Sequence, residues 1–263
     1  MPPLDELTTD LASEHEDLDG MVAGLDEAGL DTPTPAEGWQ VRDQIGHLAW
    51  FDREAVRAAL DPESFVATLS EALSDETYTD RAVTEGRRFS GPDLLAWWRA
   101  ARSGLLAALA ALDPATRVPW YGPPMSAASF VTARLMETWA HGQDVADALD
   151  IERVPTDRLR HVAFLGVRAF PNSYRVRDLP VPGAPVRVEL VAPSGESWAW
   201  GDEAAEDVVR GPALDFCLVV TQRRHVDDTA LEASGPVAVE WMQLAQAFAG
   251  LPTLPSENRR RRA

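Results

Sequence analysis

Apolar residues recur at helical spacing along most of the first 150 positions of this chain. Leu4, Leu7, Leu11, Leu18, Val22 and Leu25 form one stripe and predict a helix from about Leu4 to Leu30. Asp31-Thr-Pro-Thr-Pro-Ala-Glu-Gly ends it, because proline and glycine forbid continuation. A second helix opens near Val41 and runs to about Leu60, with Arg42, Arg53 and Arg57 marking its wet side. Glu63 to Arg88 is an acidic connection of marginal helical pattern. Ser90-Gly-Pro-Asp then caps a helix from Pro92 to Leu112. A proline-stiffened loop holding Trp120 and Tyr121 leads into a further helix that carries Arg134 to Asp144. Four long helices of this kind predict an all-α bundle over residues 1–150.

Past residue 150 the period changes. Pro155 starts a fifth helix to about Phe170, with His161 and Arg168 on it. Ala184 to Val191 alternates as a strand, Pro193-Ser-Gly-Glu reads as a turn, and Ser197-Trp-Ala-Trp-Gly as a partner strand. Helical patterns return at Pro212–Arg223 and Pro236–Ala249. The expected fold class is therefore mainly α: an N-terminal four-helix bundle (1–150), a connecting helix and linker (151–180), a small α+β domain (181–255) and an Arg-rich tail (256–263).

The helix around residue 137 changes the picture from fold to chemistry. At about 100° per residue, Arg134 and His141 fall within about 60° of Glu137. The polar residues Ser129, Thr132, Gln143 and Asp147 gather on another side and mark the expected solvent face, so the titratable row points with Phe130, Ala133 and Ala148 toward the core. Burying such groups demands compensation, either a metal ion or a hydrogen-bonded Glu-His-Arg network. On the second helix His47 lies away from the arginines, with Gln44, Phe51, Glu54 and Ala58 nearest by angle. Alone it reads as a satisfied core histidine. Joined to Glu137 and His141 it completes a two-His, one-carboxylate set, whose open positions suit a catalytic metal. His15, on the first helix, reads as a surface or helix-pairing residue.

Four more residues have two readings each. Arg134 either holds a substrate carboxylate or pairs with Glu54 or Asp144. Asp144 either orients His141 or a metal-bound water, or sits on the surface. Trp120 and Tyr121 either wall a cofactor pocket or pack over the end of the bundle.

Composition removes several function classes. The chain has no lysine, which excludes Schiff-base catalysis and the P-loop lysine. Cys217 is the only cysteine and lies in an apolar run, so it is read as packing, with no internal disulfide and no Cys-rich zinc site. The net charge of −18 opposes nucleic acid and anionic membranes as partners. The basic cluster Arg259 to Arg262 reads as a solvated tail. No apolar run approaches the ~20 residues of a membrane span. The start, Met1-Pro-Pro-Leu-Asp-Glu, lacks the features of a signal peptide, so the expected location is cytoplasmic, as a monomer or a dimer.

Gly38-Trp39-Gln-Val-Arg-Asp-Gln-Ile-Gly-His47-Leu-Ala and Glu137-Thr-Trp-Ala-His141-Gly-Gln-Asp144 resemble the metal-binding N-terminal domain of the mycothiol-dependent maleylpyruvate isomerase family, a DinB-like four-helix bundle. The resemblance covers residues 1 to about 150, and the whole chain is most similar to an actinobacterial branch of that family. It implies that His47, Glu137 and His141 bind a divalent metal, usually zinc, with water completing the shell. Nickel, iron or manganese also suit such a donor set. It further implies mycothiol as a low-molecular-weight thiol cofactor, and an isomerase or S-transferase acting on a small, carboxylated electrophile. The stretch from His225-Val-Asp-Asp-Thr to Ala249 resembles a segment labelled for wyosine-base formation in tRNA-modifying enzymes. Other readings stay open: a hydrolase or lyase using metal-bound water, a non-enzymatic metal-binding module, and a tRNA-modification accessory, the last opposed by the acidity of the chain.

Overall fold

Helix α1 (Leu4–Val22) buries the expected stripe of Leu7, Leu11, Leu18 and Val22 but stops short of Leu30. Asp26 accepts from the Gly29 amide at 2.9 Å and opens a separate turn, α2 (Glu27–Leu30), so a new N-cap replaces the predicted continuation. The first unit, residues 1–152, continues with α3 (Val41–Leu60), α4 (Pro62–Ser74), α5 (Tyr78–Gly86) and α6 (Gly91–Ala110). It closes with the short strands β1 (Arg117–Val118) and β2 (Met125–Ser126) and the helix α7 (Ala127–Ala148). This is a computed structural model, and it describes residues 3–74 and 78–255. The Arg259–Arg262 tail and positions 75–77 of the acidic connection lie outside the described residues.

Four long helices form a ring in which α1 packs on α7, α7 on α3, α3 on α6, and α6 back on α1. Leu18, Val22, Ile45, Leu48, Leu94, Trp98 and Val145 meet in its core. The acidic connection is helical as α4 and α5, and α5 sits tightly on α3 because two glycines face each other. A Cβ added to Gly46 would lie 3.1 Å from the Gly86 Cα. The proline-stiffened loop is a small antiparallel ladder, Arg117 opposite Ser126 and Val118 opposite Met125, with Trp120 and Tyr121 in the connection between the strands.

One solvent face expected from the sequence is largely buried, and one residue of another is. On α7, Thr132, Gln143 and Asp147 are all inside. Their polarity misleads because it is answered locally: Thr132 donates to the Ala128 carbonyl at 2.8 Å, and Gln143 Nε2 donates to Asp147 Oδ1 at 3.0 Å. On α3, Arg42 is buried between Glu27, at 2.5 Å, and Asp31, at 2.6 Å, rather than wet.

The second unit, residues 153–263, holds α8 (Leu159–Arg168), α9 (Phe170–Arg175), β3 (Val186–Val191), β4 (Ser197–Trp200), β5 (Asp207–Pro212), α10 (Ala213–Val220), β6 (Glu232–Ser234) and α11 (Pro236–Leu244). The four strands lie in the order β4-β3-β5-β6. The β3–β4 hairpin is the antiparallel pair expected from the alternation, whereas β3 and β5 run parallel and β5 and β6 antiparallel. The predicted fifth helix begins later, at Leu159, and packs on α10 within this unit. Gly166 permits that contact, since a Cβ there would come within 2.7 Å of Val220 Cγ2. Helix α11 ends before Ala249 because Ala245 turns extended, with ψ of 132°. The molecule is mainly α, a four-helix bundle followed by a small α+β unit. Among the described residues no helix is long and apolar enough to cross a membrane.

Candidate metal centre

The site begins in the turn before α3. Gly38 takes φ of +76°, a conformation in the left-handed region that glycine enters without a Cβ penalty. The chain then doubles back: the Thr34 amide donates to the Trp39 carbonyl at 2.8 Å and the Val41 amide to the Thr32 carbonyl at 3.0 Å. Gln40 caps α3 in a reciprocal box with Asp43. Arg87, at the end of α5, grips Asp43 at 2.7 Å and the Gly38 carbonyl at 3.1 Å. The start of α3 is thereby held at three points, and His47 follows less than two turns later.

Opposite it, α7 presents Glu137 and His141 one turn apart. Glu137 Oε2 lies 3.3 Å from His141 Nε2 and 4.0 Å from His47 Nε2. One ligand atom from each of the three residues falls within 4.8 Å of the others. Two atoms sharing an ion at about 2.0–2.2 Å are at most about 4.4 Å apart. In tetrahedral geometry the same bonds place two ligand atoms about 3.3–3.6 Å apart, so the Glu137–His141 pair at 3.3 Å already fits and the remaining separations, up to 4.8 Å, would close by about 1 Å around an ion; imidazole and carboxylate are the donors such ions take. Among the described residues this is the group of His, Cys, Asp and Glu side chains so arranged. The imidazole rings lie 4.4 Å apart between centroids, and the Glu137 side chain is a quarter exposed, so the centre has an open side.

Burial by itself would raise the Glu137 carboxyl. Hydrogen bonding to His141 and the charges of His141, His47 and Arg134 outweigh it and pull the group down to about 2. Glu137 is thus ionised at neutral pH, and beside it the two imidazoles, once neutral, are the donors a divalent cation takes.

Around this trio lies a sleeve of rings. Trp39 is stacked on His141 at 6.1 Å and 16° and inclined to His47 at 5.4 Å, and Phe51 lies against His47 at 4.6 Å. Trp120 and Tyr121 stand one layer further out, edge-on to Phe51 at 6.5 and 5.7 Å. Trp120 also stacks on Phe65 at 5.6 Å, and the Tyr121 hydroxyl meets Tyr78 at 3.1 Å and Glu54 at 3.3 Å. Burial, then the bond with Tyr78 and the Glu54 charge, push that hydroxyl's pKa upward, so it stays protonated.

Arg134 has a partner that the helical wheel did not name. Its side chain is 3% exposed and both Nε and Nη2 donate to Asp52 Oδ1, at 3.2 and 2.8 Å. The expected partners Glu54 and Asp144 are replaced by Asp52 because α3 presents that residue, fully buried, to α7. Asp144 is itself buried rather than on the surface. The residue behind His141 is Gln44, whose Oε1 lies 2.5 Å from His141 Nδ1. His15 is inside too, with Nε2 3.9 Å from Asp52 Oδ2. Gln44 and Phe51 were on the His47 face of the wheel and Trp39 stood in the motif that includes His47; Asp52 and Tyr78 were not readable as site residues, since only the packing of α3 on α7 and α5 brings them in.

Comparison with known proteins identifies the family and the fold. Residues 11–146 match the family model described as the mycothiol maleylpyruvate isomerase N-terminal domain, and residues 182–234 match one described as wyosine base formation. The second match overlaps the stretch expected to carry that resemblance only at its start and lies mostly on the sheet. Two uncharacterised proteins of Mycobacterium tuberculosis, from strains CDC 1551 / Oshkosh and H37Rv, are each 46% identical over 244 residues, covering 92% of this chain and 95% of theirs. The crystal structure of the mycothiol-dependent maleylpyruvate isomerase superposes with a TM-score of 0.60 at 16% identity, covering 89% of this chain and 93% of that one. A histidine-to-alanine mutant of that isomerase superposes equally well, at 15% identity over 96% and 97%. That likeness is one of fold. With the family model spanning more than half of its length, the chain belongs to the mycothiol maleylpyruvate isomerase N-terminal domain family.

Proposed function

We propose that the chain is a metal-dependent enzyme in which His47, Glu137 and His141 hold one divalent ion, zinc first among the candidates, and that it works with a low-molecular-weight thiol, mycothiol by family, as an isomerase or S-transferase acting on a small electrophile. The observation that carries the reading is the approach of the three ligand atoms to within 4.8 Å across two helices. A bound divalent ion would supply Lewis acidity, lowering the pKa of a thiol or water so that a nucleophile exists near neutral pH.

The chain's own residues do the rest. Glu137 contributes one negative charge, so the three ligands leave a dication with net positive charge and an affinity for an anionic sulfur or oxygen. Trp39 and Phe51 exclude water from the flanks of both imidazoles, which strengthens every electrostatic interaction between them. Trp120 and Tyr121, reached through Phe51, are the proposed outer wall for the cofactor. Arg134 acts on Glu137 as a buried positive charge held by Asp52. Asp144, buried on the same helix, is assigned to support of the centre from behind. Cys217 is fully buried and burial drives its pKa well above the usual thiol range, so the reacting thiol comes from outside the chain.

The test is metal analysis followed by turnover. The purified protein is expected to bind one zinc per chain, His47→Ala to bind none, and conversion of an activated cis-unsaturated acid to require added mycothiol. Conversion that proceeds equally without any thiol would favour the second reading, a hydrolase or lyase using bound water. Failure of the native chain to bind any divalent ion would remove both.

A further inference from the structure

Gln44 is wholly buried on α3, one turn before His47, and its two amide atoms face two different partners. Oε1 lies 2.5 Å from His141 Nδ1, and Nε2 lies 3.0 Å from Thr34 Oγ1. Which end of the amide faces which partner follows from the next link. The Thr34 hydroxyl is 3.0 Å from the Trp39 carbonyl, with the Ala36 carbonyl at 3.5 Å as its other neighbour. Carbonyls only accept, so the hydroxyl hydrogen goes to one of them and its oxygen is left to accept. Gln44 must then donate to Thr34 through Nε2, which turns Oε1 toward His141. Two acceptors facing at 2.5 Å would repel, so Nδ1 of His141 carries the hydrogen. An imidazole committed at Nδ1 in this way has Nε2 as its only ligand atom, and Nε2 is the atom that faces Glu137 at 3.3 Å.

We infer that Gln44 is a positioning residue for the metal centre, fixing the His141 ring and its tautomer, and that the Thr34–Trp39 turn is the lock that keeps the amide from flipping. The inference rests on the metal reading given above. It explains why the turn at Gly38 matters twice: the same turn supplies the hydroxyl that orders Gln44 and the indole that covers His141. A flip of Gln44 would need the Thr34 hydroxyl to abandon both carbonyls, so the orientation is held by the backbone of the turn rather than by the amide alone.

Zinc affinity by chelator competition is compared for the native protein, Gln44→Met, Gln44→Glu and Thr34→Val, and the imidazole nitrogens of metal-free native protein are observed by nitrogen-15 NMR. Gln44→Met keeps the shape and removes the acceptor; it is expected to bind zinc about 10–100-fold more weakly, the range typical of lost support behind a ligating histidine. Gln44→Glu keeps an acceptor oxygen and is expected to restore affinity, while Thr34→Val shows a smaller loss. In the native spectrum His141 Nδ1 is expected to bear a proton. A bare Nδ1 there, native affinity in Gln44→Met, or equal losses in the Met and Glu variants would overturn the proposal. Should Gln44→Met not fold, Thr34→Val and the native spectrum decide. A native protein that binds no zinc sinks the metal reading, and the spectrum still judges Gln44 by itself.

Discussion

The two units bury polar side chains to different ends. In the second unit Asp207 accepts from the amides of Val237 and Ala238, at 2.7 and 3.0 Å. Gln222 donates to the carbonyls of Ala245 and Thr253, at 3.1 and 2.8 Å, and Gln246 to that of Leu251 at 3.1 Å. These groups satisfy backbone that the sheet and its connections leave unpaired. Around the centre of the first unit, side chains that are buried or partly buried answer one another: Arg134 with Asp52, Gln44 with His141, Glu137 with two imidazoles. A polar group tied to backbone is accounted for by folding. A cluster of ionisable groups that face each other inside a bundle is not, and burial of that kind marks a candidate functional site.

The sharpest way to break this contrast is to unpair its most buried ion pair. Arg134→Met leaves Asp52 charged and without its partner guanidinium, and is expected to destabilise the protein by about 3–5 kcal/mol in denaturant unfolding. Adding Asp52→Leu should recover much of that loss, because an apolar pair of similar volume avoids the desolvation that the ion pair must offset. If Arg134→Met unfolds within about 1 kcal/mol of the native protein, the pair is not the rigid support described here.

How much of this was legible in the sequence divides along the same line. The helices of the bundle are set by local periodicity, so the approximate bounds read for α3 and α6 lie within a residue or two of the observed ones. His47, Glu137 and His141 stood out because their residue types and spacing have a chemical meaning that does not depend on the partner helix. Asp52 and Gln44 did not, for they acquire a role only when α3 meets α7, and an aspartate four residues from Leu48 reads as solvated until its arginine arrives. The parallel pairing of β3 with β5 was likewise invisible. Asp207-Val-Val-Arg-Gly-Pro has neither alternation nor a hairpin signal, and its partner lies across β4 in the sequence. Burial of Thr132, Gln143 and Asp147 went unseen for the opposite reason, since their bonds close within α7 itself and leave no trace in the apolar pattern.

His15 gives the next largest effect. Burial, followed by the charges of Arg102 and Arg134, lowers its pKa from 6.5 to about 4 against the opposing pull of Asp52. The native state therefore prefers the neutral ring, and between pH 6.5 and about 4 the unfolded chain binds more protons. Stability is full above that window and is lost as pH falls through it, by up to about 3 kcal/mol from this residue. In His15→Leu the slope over this window should flatten. An unchanged slope would mean that the buried cluster of the first unit is not what makes the protein sensitive to acid.

The smallest effect probes the backbone-serving half of the contrast. Helix α11 begins after Gly235, which has no side chain to cap it, and at φ of +87° that glycine lies so close to Asp207 that a Cβ would sit 2.4 Å from Oδ1. Strand β5 supplies the missing cap from outside the helix. Asp207→Ala should cost about 1 kcal/mol, the usual loss for a removed N-cap. Zinc affinity should not move, because His47, Glu137, His141 and the groups that hold them all lie within residues 1–152. Asp207→Asn keeps an acceptor oxygen in place and should recover most of the stability. A change in zinc affinity on losing Asp207 would show that polar groups serving backbone and polar groups serving the centre are energetically coupled, and the division between the two units would have to be redrawn.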